Sequence, residues 1–219
     1  MIKVINLKCE YVNGNTNQVL FENVNFEIKD GDFVIITGPS GSGKTSLLRI
    51  LSGHQKPNNG EVYWDEQNIY NLKEKIFSKL KVKDTGFIYQ DFMLIDELNV
   101  YDNIVLPQHF INSVNKEYIN KIINDLELND LLYKYPTNLS GGQRQRVSIA
   151  RSLVNNPKVI FCDEPTGSLD YVATKKIMDL LKYINDEYSV TIILVTHEQE
   201  SLKYGKSFIK FINGIVKCE

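Results

Sequence analysis

The chain is short of arginine and cysteine and has no long apolar run, and each shortage removes a class of function. Guanidinium groups come only from Arg49, Arg144, Arg146 and Arg151, and 25 basic against 27 acidic residues give a formal net charge of −2. No global positive field is available for a phosphate backbone or an anionic lipid surface, so no nucleic-acid partner is expected. Cys9, Cys162 and Cys218 are odd in number, widely spaced and without a C-x-x-C pair. That excludes a disulfide framework and a cysteine metal cluster, and it fits reduced thiols in cytosol. No apolar stretch approaches the roughly 18 residues of a membrane span. The opening "MIKVINLKCEYV" also lacks a basic segment followed by an apolar core, so the chain by itself is expected neither to be exported nor to cross a membrane. Repeats, low-complexity tracts and long linkers are missing too. Lysine, asparagine, isoleucine and tyrosine are abundant instead, as in proteins of AT-rich genomes.

What is present, over 219 residues, is enough for a generous α/β core. Four apolar runs carry the pattern: "FVIITG", "TGFIYQ", "VIFCDE" and "VTIILVTH". Continuous runs of this kind suit strands buried on both faces, hence a parallel sheet covered by helices. Ligands of such sheets bind beyond the carboxyl ends of the strands. There the runs deliver a glycine loop, Gln90, Asp163 with Glu164, and His197 to one edge. The first thirty residues read as short alternating strands around the turn-rich stretch from Tyr11 to Val19. With "GEVYWD" they predict a small antiparallel sheet beside this core. Residues from about 91 to 156 read as mainly helical, interrupted by Pro107 and Pro136.

The loop after the first run is "GPSGSGKTS", formed by Gly38, Pro39, Ser40, Gly41, Ser42, Gly43, Lys44, Thr45 and Ser46. It matches G-x-x-x-x-G-K-[ST] between a strand and a helix, the context in which backbone amides and the lysine hold β- and γ-phosphates. The Thr45 hydroxyl would ligate Mg2+. Asp163, at the end of its strand, is placed to hold the same ion. Glu164 is followed by Pro165, which predicts an extended backbone and a side chain aimed away from that of Asp163, as a general base for attacking water requires. His197 reads as a hydrogen-bonding sensor of γ-phosphate and water, Gln90 as a group serving Mg2+ and water. Tyr11 could stack on an adenine. His54, His109 and Cys162 read as structural.

"LSGGQRQRVSIA" opens a basic amphipathic helix with two glycines. A capping box accounts for Ser140 and Gln143. It does not account for Gly141 and Gly142, each of which costs roughly 1 kcal/mol relative to alanine. Bare amides at a helix N-terminus make an anion site, so the stretch reads as a second phosphate cradle. The plainer reading of Arg144 and Arg146 is a solvated basic face.

Together, "GPSGSGKTS", Gln90, "LSGGQ", "VIFCDE", "GSLD" ending at Asp170, and His197 resemble, in order and rough spacing, the nucleotide-binding subunits of ABC transporters. The resemblance covers almost the whole chain. The surrounding stretches are similar to the macrolide-exporter and lipoprotein-release branch, which includes antimicrobial-peptide and bacteriocin exporters. Glu97-Leu98-Asn99-Val100 and Ser168 depart from its usual pattern without touching a catalytic group. The resemblance implies one domain over 1–219. Its fold would be a P-loop NTPase (RecA-like) α/β core with an antiparallel β subdomain and a helical signature subdomain near 91–156. It implies ATP and Mg2+ as ligands, and a dimer of like subunits in which Ser140, Gly141, Gly142 and Gln143 face ATP held by the other chain. It also implies an integral-membrane permease partner at the cytoplasmic face of the cell membrane, docked on the segment "DFMLIDELNVYDN". A motor of a non-transporting membrane complex, such as the cell-division signalling complex, would carry the same residues.

Overall fold

Each of the four apolar runs forms a strand of one sheet. The computed structural model describes residues 1–13, 16–111, 115–212 and 215–219; Gly14 and Asn15, within the turn-rich stretch after Tyr11, lie outside the described residues. The runs become β3 (Phe33–Thr37), β6 (Thr85–Tyr89), β7 (Val159–Asp163) and β8 (Thr191–Val195). With β9 (Ser207–Ile212) and β10 (Ile215–Cys218) they make a sheet of order β10-β9-β3-β8-β7-β6, parallel except for β10. Alternate residues explain why the runs are apolar throughout. Phe33, Ile35, Ile160, Cys162, Ile192 and Leu194 enter one core; Val34, Ile36, Val159, Phe161, Ile193 and Val195 enter another. Both faces are dry, as a parallel sheet requires.

The first core is closed by α3 (Val100–Val105), α4 (Lys116–Asp125), α5 (Gly141–Leu153) and α6 (Tyr171–Glu187). The second is closed by α1 (Lys44–Leu51) and an antiparallel sheet of order β2-β1-β4-β5, comprising β1 (Ile2–Asn13), β2 (Thr16–Ile28), β4 (Asn59–Trp64) and β5 (Gln67–Asn68). The antiparallel sheet is as expected, but its first strands are long rather than short. Their pairing shifts register between Val4 and Leu7 and again on to Cys9, with Asn6 at φ 48° and Asn23 at φ 55°. These are bulges, which break the alternation a sequence displays without ending the strand. An element not anticipated is α2 (Glu74–Asp84), which buries no residue fully and so writes little helical periodicity. Between 91 and 156 the elements are helical, and Pro107 and Pro136 sit in the first turns of 3-10 segments, where a missing N–H costs little.

The register brings the strand ends level. Ile36 pairs with Val195, Val195 with Asp163, and Asp163 with Tyr89. One step further, each strand leaves the sheet at a polar residue on the same edge.

Candidate active site

The loop after β3 wraps back on itself to start α1. Gly43, at φ 104°, is the N-cap of that helix. Gly38, at φ 151°, lies so close to β9 that a Cβ there would sit 2.6 Å from Phe211 Cβ and 2.8 Å from its carbonyl oxygen. The chain's tight turn therefore needs both glycines. Lys44 is buried and donates to the carbonyl oxygens of Gly38 (2.9 Å) and Pro39 (2.7 Å). Burial pushes its ammonium pKa down, against the pull of the Glu164 and Asp163 carboxylates. Thr45 Oγ1 donates to Asp163 Oδ1 at 3.0 Å. Tyr11, Ser40, Gly41, Lys44, Ser46 and Glu164 line an open cleft of about 400 Å³ over this loop. The Tyr11 hydroxyl shares a 3.0 Å hydrogen bond with Ser46 Oγ, which fixes its ring at the mouth.

Two carboxylates at the end of β7 have different surroundings. Burial raises the Asp163 pKa above the usual carboxylate range, only partly countered by the Thr45 hydroxyl and Arg49. A desolvated carboxylate beside a hydroxyl is a hard-oxygen pair of the kind Mg2+ takes, so the residues present fit that ion. Glu164 instead faces His197, whose Nδ1 is 3.3 Å from Glu164 Oε2. The expected extended backbone at Glu164 is not found. Its φ is 47°, in the left-handed region, because the chain turns sharply out of β7: the Glu164 amide donates to Val195 O and its carbonyl accepts from the Gly167 amide, both at 3.1 Å. A non-glycine residue held there stores of order 1–3 kcal/mol of strain, typical of functional sites. The side chains still part as expected, Asp163 to Thr45 and Glu164 to His197. Gln90 follows β6 with its amide against Gly167, where an added Cβ would be 3.1 Å away.

A second opening lies on α5. Ser140 caps this helix by a complete capping box, Gln143 N donating to Ser140 Oγ at 3.3 Å and Ser140 N to Gln143 Oε1 at 2.9 Å. The two glycines differ. A Cβ on Gly141 would meet Leu169 Cδ2 at 3.1 Å, whereas on Gly142 it would meet only Ala173 Cβ at an ordinary 3.8 Å. Packing within the chain explains the first and leaves the second to another cause. Ser140, Gly141, Gly142, Gln143, Arg146 and Asp170 line a groove of about 430 Å³, separate from the cleft over the Lys44 loop. Asp170 also caps α6, its carboxylate accepting from Ala173 N at 2.8 Å. Arg146 pairs with Glu127 on the surface, as a solvated face would; Arg144 lies over the Phe92 ring at 5.2 Å.

Three contributors escaped the sequence reading. Gln145, fully buried on α5, donates to Pro165 O at 2.6 Å, next to Glu164. Arg151 donates to Phe92 O (2.8 Å) and Met93 O (2.5 Å), holding two left-handed residues just after Gln90. Glu198 Oε2 accepts from Thr166 Oγ1 (3.0 Å) and Ser201 Oγ (3.1 Å), joining the Glu164 turn to the His197 loop. For Gln145 a signal existed: with Ser148, Ile149 and Ser152 it follows the i, i+3, i+4, i+7 spacing of a buried face. For the other two, only tertiary contact reveals them.

Comparison with known proteins speaks to the family and the fold. The ABC transporter family profile matches residues 21–167. The chain is 42% identical over 218 residues to the uncharacterized ABC transporter ATP-binding protein MJ1508 of Methanocaldococcus jannaschii, covering 98% of this chain and 96% of that one. It is 34% identical over 220 residues to the macrolide export ATP-binding/permease protein MacB of Bdellovibrio bacteriovorus, covering 100% of this chain and 34% of that protein. Among solved structures, the dimeric post-hydrolysis state of the ATP-binding cassette MJ0796 bound to ADP and Pi matches with TM-score 0.88 at 37% identity, covering 100% of this chain and 98% of that one. With a glycine loop at the sheet edge and a second groove on α5, this likeness over the full length means that the chain belongs to the ABC transporter family and is one of its ATPase cassettes.

Proposed function

We propose that the chain is a motor subunit that binds ATP between two copies, or between itself and a similar chain, and closes head to tail to drive a membrane permease. The observation that carries this is the separation of the two half-sites. Lys44 and Ser140 line different clefts of one chain, so a second chain is needed to bring a signature groove over a Lys44 loop. Gly142, free of any packing demand, then has its cause in a phosphate held by the partner. The magnitudes allow it. Switching a pair from mostly open to mostly closed takes roughly 5.5 kcal/mol, and charge-assisted hydrogen bonds contribute about 1.5–3 kcal/mol each.

Within the composite site, Lys44 and the amides from Gly41 to Ser46 hold the phosphates, and Tyr11 carries the base of the nucleotide. Thr45, Asp163 and Gln90 are the residues that would hold Mg2+; when bound, the ion neutralises phosphate charge. Glu164 takes the proton from the attacking water, and His197, with its Nδ1 3.3 Å from the Glu164 carboxylate, orients that water against the γ-phosphate. Hydrolysis removes the contacts to Ser140 and Gly142, and the pair reopens. Among the described residues no helix is long and apolar enough to cross a membrane. In this reading a permease supplies the transmembrane path and holds the motor at the cytoplasmic face. Export of a peptide, bacteriocin, drug or lipoprotein is the cargo reading carried over from the sequence, and the 34% identity to a macrolide export protein is in keeping with the drug among these.

Glu164→Gln tests the mechanism. It should keep ATP affinity, slow phosphate release by about 10²–10⁴-fold and accumulate a dimer in ATP and Mg2+ by sedimentation. Near-normal phosphate release would overturn the assignment. Mixing Lys44→Ala with Ser140→Arg chains tests the dimer: heterodimers contain one intact and one doubly damaged site, so activity should return on mixing. A site completed within one chain gives no recovery.

A further inference from the structure

We propose that Gln145 is a positioning residue for Glu164 of its own chain, although it sits on the helix whose N-terminus serves the partner's nucleotide. This rests on Glu164 being the general base. The turn from Glu164 to Gly167 is held at every residue. The Glu164 amide and carbonyl bond to Val195 O and the Gly167 amide, the Thr166 hydroxyl bonds to Glu198, and Pro165 O accepts from Gln145 Nε2 at 2.6 Å. A left-handed φ of 47° on a glutamate persists only where its surroundings over-determine it. Of these restraints, Gln145 alone comes from the signature helix.

The Gln145 side chain has no other role that its contacts disclose. It is fully buried, Pro165 is buried with it, and its Oε1 has no hydrogen-bond partner among the described residues. An amide with one of its two polar ends unpaired is a costly filler for a core position that leucine or methionine would fill. The donated bond to Pro165 O is what the glutamine provides. One helix thus presents Ser140 and Gly142 to one nucleotide and, a turn further on, fixes the base that acts on the other.

The test uses the mixed dimer described above, in which the intact composite site takes its Lys44 and Glu164 from the Ser140→Arg chain and its signature from the Lys44→Ala chain. Gln145→Met, which keeps length and removes the donor, is added to one chain at a time. Placed in the Ser140→Arg chain it should lower single-turnover phosphate release about 10- to 100-fold, as a misplaced reacting group does, with ATP affinity unchanged. Placed in the Lys44→Ala chain it should leave the rate within about twofold. The reverse pattern, loss only from the chain lending its signature, would mean that Gln145 merely supports that helix and would overturn the proposal. Gln145→Asn, too short to reach Pro165 O, should repeat the result and replaces Gln145→Met if that variant melts early. In homodimers, Gln145→Met should add nothing to the loss caused by Glu164→Gln, because both act through one carboxylate. Additive losses also overturn the proposal. Normal turnover of Glu164→Gln alone instead overturns the general-base assignment itself.

Discussion

Glycine carries two different messages in this chain, and the difference is measurable. Gly38 is glycine because the fold demands it: its φ is 151° and Phe211 occupies the space of a side chain. Gly38→Ala should therefore destabilise the chain by about 1–3 kcal/mol, read as a lower denaturant midpoint, before any nucleotide is added. Gly142 has room for a methyl group and sits in a helix. Gly142→Ala should raise stability by about 0.5–1 kcal/mol and yet weaken ATP-driven dimerisation measured by sedimentation. A variant that is less stable, or more stable and equally prone to dimerise, would remove the case for a ligand at that amide. The sequence displayed both glycines as phosphate-cradle residues and could not separate them, because the distinction lies in neighbours distant along the chain.

At the scale of the element, α5 was legible from "LSGGQ" to its last apolar turn, including its capping box, because a cap is written in residues three apart. Cap and ligand roles of Ser140 can be pulled apart. Ser140→Asp retains an N-cap of equal quality but sets a carboxylate against the incoming phosphate. Its melting temperature should stay within a degree or two of the parent while ATP-driven dimerisation is lost. The turn carrying Glu164 was misread as extended, since the proline rule describes local sterics whereas Val195 O, the Gly167 amide and Gln145 decide the backbone there. The segment after Gln90 is similar. Arg151 and the fully buried Asn103, whose amide bonds Ile95, Leu98 and Asn99, hold it in a shape that no local pattern announces.

For the whole molecule, the proposed motor has to pass its closure on to a permease. Met93 and Ile95 remain 59% and 40% exposed beside exposed Asp96 and Glu97, while Leu94 packs inward against the core. An apolar pair standing in water next to acidic residues, on a loop tied to the signature helix through Arg151, suits a docking contact that moves with that helix. Asp96→Lys with Glu97→Lys should weaken recovery of the permease in pull-downs from detergent extracts about tenfold or more. ATP hydrolysis by the isolated subunit should change little, since neither residue reaches the nucleotide cleft. Loss of hydrolysis with permease binding intact would place the segment in the catalytic machinery instead.

The sequence by itself determined the parallel sheet, the edge on which its polar groups gather, the phosphate loop and the capped signature helix. Each of these is encoded by neighbours in the chain: runs buried on both faces, glycines at fixed offsets, a serine three residues before a glutamine. Only the tertiary structure decided that β1 and β2 run on through bulges, that Glu164 is left-handed, and that Gln145, Arg151 and Glu198 hold the loops around the site. Several of those outcomes depend on hydrogen bonds between residues far apart in the chain, 20 positions from Gln145 to Pro165 and 59 from Arg151 to Phe92. A carbonyl oxygen that receives such a bond leaves no mark on its own residue type, so nothing local could have disclosed it.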